Sequence, residues 1–85
     1  MPIANDVTAD DLVAIVRKVA GDDQADMAAR GVTDLEELEL SSLDQAEILL
    51  EIEEMLNQAI DPIEVESVRT LDDLVQLANR VRSRT

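Results

Sequence analysis

The chain has 85 residues and a formal charge of −13, with no cysteine, histidine or aromatic residue. Those absences exclude disulfides and cysteine-ligated zinc, remove the usual general base near neutral pH, and leave no stacking platform for nucleic-acid bases. The charge repels phosphate backbones and anionic membranes and suits partners with basic surfaces.

Residues 1–85 are expected to form one domain. The first residues, Met1 to Asp6, show neither a basic start nor an apolar run, so no secretory signal is read there, and a cytoplasmic monomer is expected. Thr8 opens the first predicted helix as a capping residue, with Asp11 three positions on. Leu12, Ile15, Val16 and Val19 then recur at helical spacing, Arg17 and Lys18 suit the negative end of the helix dipole, and Gly21 is a stop. Residues 22–40 read as a long connection, polar early and leucine-rich late, with a short helical turn near Asp34 to Leu38. Ser41 or Ser42 opens a second helix reaching about Asn57; with Ser41 as cap, Asp44 is the matching acid. Asp61-Pro62 reads as a cap followed by proline at the first helical position, leading a short helix over 63–68. Thr70, with Asp73 three residues on, caps the last helix. There Leu71, Leu74, Val75, Ala78 and Val81 make an apolar stripe with Leu77 on its edge. The expected fold is all-α: a small four-helix bundle of three longer helices and one short third helix, with a long first loop.

The charge is concentrated. Residues 31–68 hold twelve of the 20 acids and no Lys or Arg. At about 100° per residue, Asp44, Glu47, Glu51 and Glu54 share an arc of roughly 80°. Like charges three and four apart cost a few tenths of a kcal/mol each, and a solvated face would ordinarily interleave Lys. Leu43 and Leu50 flank this stripe on one side. Ile48, Leu49, Ile52, Met55 and Leu56 lie on the other and are expected in the core. Any single Glu here is adequately explained by solubility; the unrelieved stripe with leucines at its edge suggests a docking surface.

No EF-hand loop, glycine-rich phosphate loop or catalytic triad can be assembled, and the carboxylates sit on exposed helix, away from the enclosed pockets that tune them for acid catalysis. The chain is expected to be a non-enzyme without a dedicated metal site.

A serine in a first helical turn is ordinarily just a cap. The surroundings of Ser42 suggest more. Leu38-Glu39-Leu40-Ser41-Ser42-Leu43-Asp44, running into Glu47-Ile48-Leu49-Leu50-Glu51-Ile52-Glu53-Glu54, resembles the acyl carrier protein family, in which G-x-D-S-L starts a long acidic second helix. Ile60-Asp61-Pro62 and Thr70-Leu71 resemble the starts of that family's third and fourth helices, so the likeness runs from Val7 to Val81. The family's usual Asp before the serine is Ser41 here, and its usual Gly is Glu39.

The resemblance implies a 4′-phosphopantetheine arm on Ser42 that holds acyl intermediates as thioesters. These would be presented to enzymes of fatty-acid, lipid or secondary-metabolite synthesis. It implies partners in a phosphopantetheinyl transferase and in acyl-loading and acyl-processing enzymes. Leu43, Glu47, Leu50 and Glu54 match the family's docking face, which Asp44 and Glu51 join by the helical wheel. Ile52, Val65 and Val68 match positions near its acyl cleft. The alternative is an unmodified, carrier-like interaction module that docks basic partners through the acidic helix.

Overall fold

In the computed structural model, residues 6–84 are described; the start of the stretch read for a secretory signal, residues 1–5, lies outside them. The described residues form five helices: α1 (Ala9–Ala20), α2 (Asp22–Ala29), α3 (Ser42–Leu56), α4 (Pro62–Val65) and α5 (Leu71–Arg82). The all-α class is as expected, with the longer α1, α3 and α5 and a short α4 before the last helix.

Three capping boxes start the three longer helices. Thr8 with Asp11, Ser41 with Asp44 and Thr70 with Asp73 each exchange side-chain and backbone hydrogen bonds, satisfying N–H groups that a helix start leaves unpaired. The Asp73 carboxylate also accepts the Arg69 N–H at 2.9 Å; that bond and the one from Thr70 hold its pKa below the usual carboxylate value. α4 starts as expected, with the Asp61 side chain accepting the Ile63 N–H and Pro62 at the first position. α3 ends at Asn57, whose left-handed conformation (φ 55°) lets the Gln58 N–H reach back to the Glu53 carbonyl.

The expected long first loop is only partly a loop, because its first half is α2. Gly21 does end α1, but at φ 104° it turns the chain directly into the next helix. Asp22 and Asp23 favour the new N-terminus, and the small Ala25 and Ala28 bury against α1. Arg17 ties the two helices, bonding Asp22 at 2.8 Å and Asp26 at 3.2 Å. Alanines three apart in a polar stretch carry too little apolar signal to stand out as an amphipathic pattern.

The rest of the connection is anchored at several points. Leu35, Leu38 and Leu40 are buried. The backbone pairs with the segment before α5, Leu35 N–H to the Arg69 carbonyl at 3.0 Å and Leu71 N–H to that of Thr33 at 2.8 Å. Asp34 Oδ1 caps the expected turn by accepting from Glu36 N–H at 2.9 Å and, more weakly, from Glu37. That turn closes through Glu39, held at φ 57°. A left-handed conformation costs a non-glycine residue about 1–2 kcal/mol, part of which glycine returns through its freer unfolded state. Glu39→Gly is therefore expected to stabilise the fold by about 1 kcal/mol, a rise of about 4–8 °C in the thermal midpoint. An unchanged or lower midpoint would show that the Glu39 side chain itself supports the turn.

The core is aliphatic throughout: Leu12 and Val16 of α1, Ile48, Ile52 and Leu56 of α3, and Leu71, Leu74, Leu77, Ala78 and Val81 of α5, with the loop leucines. Leu77, expected at the stripe's edge, is fully buried, while Val75 is only half-buried. α1 packs on α2, α3 and α5, and α3 also meets α5. Asn79 clamps the chain's entry into α1, its Oδ1 accepting the Val7 N–H at 2.7 Å and its Nδ2 donating to the Val7 carbonyl at 2.9 Å.

Candidate functional site

Everything that positions Ser42 lies between the anchored turn and the first turn of α3. Ser41 is the cap: its Oγ accepts the Asp44 N–H at 3.0 Å, and its own N–H donates to Asp44 Oδ2 at 3.3 Å. Ser42 is the first helical residue, exposed, and among the described residues its hydroxyl makes no hydrogen bond. Of the two adjacent serines, left undecided by spacing, Ser41 is thus the cap and Ser42 is not. The N–H groups of Ser42 and Leu43 have no acceptor within the helix and lie at the positive end of its dipole.

The expected docking residues divide into two groups. Leu43 is 67% exposed and Leu50 57%, high values for leucine, and Glu47 and Glu54 are exposed beside them. Asp44 and Glu51, which share the acidic stripe, are engaged within the protein. Asp44 completes the cap, and Glu51 accepts from Lys18 Nζ of α1 at 2.9 Å. That hydrogen bond raises the Lys18 pKa above its ordinary value. Glu53 lies apart from the stripe, its carboxylate accepting the Ile60 N–H at 2.6 Å and fixing the α3–α4 connection. The Asp44 cap was expected from spacing, but spacing carried no sign of the Glu51 and Glu53 contacts, because each depends on a second segment's position. Ile63 on α4 is a further exposed apolar residue, 72% exposed, beyond those singled out in sequence.

Between α3, α4 and α5 lies a cavity of about 40 Å³, walled by Leu35, Ile48, Leu49, Val65, Val68 and Leu74, with Gln45 as its single polar lining residue. Val65 and Val68 thus meet at one cavity; Ile52 is buried in the core and is not part of its wall. Leu49 and Val65 also line a wider surface groove of about 520 Å³ with Ala46, Leu50, Glu53, Ile60 and Pro62. α4 buries none of its own residues fully. It is tied to the C-terminal end by Arg84, which pairs with Glu64 and lowers that carboxyl's pKa.

A profile of the phosphopantetheine attachment site family matches residues 10–78, from the first turn of α1 to the core of α5. The chain belongs to this family. Its members are non-catalytic carrier domains to which a 4′-phosphopantetheine prosthetic group is attached, and they are modified by phosphopantetheinyl transferases and interact with acyl-processing enzymes. No curated protein and no solved structure matches. No helix among the described residues is long and apolar enough to cross a membrane.

The first turn of α3 fits this group. A phosphate joined to the Ser42 oxygen would lie beside the free N–H groups of Ser42 and Leu43, where a helix start favours an anion. The nearest acid in sequence, Asp44, has its carboxylate turned back to the Ser41 N–H. The bound group supplies a thiol on a flexible arm, which this cysteine-free chain cannot supply itself.

Proposed function

We propose that the chain is a single carrier domain whose 4′-phosphopantetheine arm is attached at Ser42 and holds acyl intermediates as thioesters. The observation that carries this reading is the division of labour between the serines: Ser41 is consumed by the cap, and Ser42 is exposed with an unengaged hydroxyl. Leu43, Glu47, Leu50 and Glu54 form the principal docking surface for the transferase and for enzymes that load and process the acyl group. Asp44 and Glu51 add to its negative field. The hydrophobic shelter for the acyl group is the cavity beside Val65 and Val68, with Ile52 packed in the adjoining core. The enzymes served belong to fatty-acid, lipid or secondary-metabolite synthesis.

The test is intact mass after co-expression with a broad-specificity phosphopantetheinyl transferase. The expected result is a gain of one phosphopantetheinyl unit that is lost in Ser42→Ala and kept in Ser41→Ala. The latter is expected to lose about 1 kcal/mol of stability with its cap. A gain that survives Ser42→Ala would sink the assignment. Failure to gain mass with several transferases would favour the unmodified interaction module.

A further inference from the structure

We propose that the cavity between α3, α4 and α5 selects short acyl groups bearing a hydroxyl near the thioester, 3-hydroxyacyl groups first, and that Gln45 is the residue that reads the hydroxyl. The inference rests on the reading of Ser42 as attachment point.

Size is the first constraint. At about 40 Å³ the cavity is far smaller than the surface groove of about 520 Å³ beside it, which suits a short chain better than a long one. Chemistry is the second. Six of the seven lining residues are aliphatic and the seventh is Gln45, one turn after Ser42. Its Nε2 donates to the Leu40 carbonyl at 3.2 Å. That oxygen only accepts, so the amide's orientation is decided: nitrogen to Leu40, with Oε1 left as an acceptor lacking a protein partner among the described residues.

Position is the third. Gln45 also lines a polar groove of about 450 Å³ formed with Asp34, Glu36 and Arg69, which shares Leu35 and Val68 with the cavity. Gln45 therefore stands where polar surface meets apolar interior, and a group entering from that side passes it with its thioester end nearest. Oε1 is not buried, so a saturated chain laid over it would displace water and leave it unpaired, and a thioester carbonyl has no proton to give it. A hydroxyl donates directly.

The test uses a broad-specificity transferase with butanoyl-, 3-hydroxybutanoyl- and octanoyl-coenzyme A, loading each acyl arm onto the full chain. Intact mass reports loading, and thioester hydrolysis is followed relative to the corresponding free coenzyme A thioester. On the native sequence, 3-hydroxybutanoyl is expected to gain at least threefold more protection than butanoyl, with octanoyl no better than butanoyl. Gln45→Met, close in volume, should erase the difference while keeping the helical circular-dichroism spectrum. Independently of any variant, the Gln45 side-chain amide resonances should shift with 3-hydroxybutanoyl and not with octanoyl. Equal protection of both four-carbon groups, a preference that persists in Gln45→Met, or greater protection of octanoyl would overturn the proposal alone. Absence of any mass gain would overturn it together with the Ser42 reading.

Discussion

Reversing Glu47 and Glu54 together to lysine is expected to slow arm attachment by tenfold or more at low salt. Both carboxylates are exposed and make no ion pair among the described residues, so their field is available to a partner. They lie beside Leu43 and Leu50, whose exposure leaves apolar surface along the edge of the acidic stripe. Complementary fields raise association rates by about 10–10³-fold, and a change of four charge units on this face turns attraction into repulsion for a basic partner. The loss should shrink as salt is raised toward 0.5 M, because exposed charges are screened. Stability should hold or rise slightly, since both residues neighbour Glu51 at helical spacing and like charges there are unfavourable. Glu51→Lys alone is a poorer probe of docking: it places a cation against Lys18 and so disturbs the α1–α3 contact as well. Initial rates of phosphopantetheine transfer, with thermal midpoints measured in parallel, decide the matter. An unchanged rate at low salt would remove this face from the docking surface.

Leu38→Ala is expected to remove about 2–5 kcal/mol, a large share of the roughly 5–15 kcal/mol that a small domain has in total. Leu38 is fully buried although it lies in the connection before α3, so its truncation opens a cavity under the turn that leads to Ser42. Urea unfolding measures the loss, with the slope checking that the transition stays cooperative. Leu43→Ala is the contrast, because a side chain two-thirds exposed should change stability by no more than about 0.5 kcal/mol while weakening docking. A loss below about 1 kcal/mol for Leu38→Ala would mean that the connection opens separately from the bundle.

The single most informative local pattern was a Ser or Thr followed three residues later by Asp. It marked the starts of α1, α3 and α5 because a capping box is complete within four residues and needs no distant partner. Asp61-Pro62 was legible for the same reason. The aliphatic faces of α1 and α5 followed from periodicity, but Leu77 and Val75 exchanged ranks in burial because neighbouring helices decide how far round a stripe the core extends. α2 was missed because its burial uses alanines, whose small surfaces give little hydrophobic signal and count only once α1 lies beside them.

At the candidate site, the sequence by itself determined that two adjacent serines stand at the head of an acidic helix. Only one of two adjacent serines can cap, and the local Ser41–Asp44 box gives that role to Ser41. The tertiary structure decided which acids remain free. Glu51 is drawn to Lys18 across 33 positions and Glu53 to the Ile60 N–H, leaving Glu47 and Glu54 to face solvent. The cavity and its lone amide exist only where three helices meet, since lining residues from Leu35 to Leu74 become neighbours only after the chain has folded.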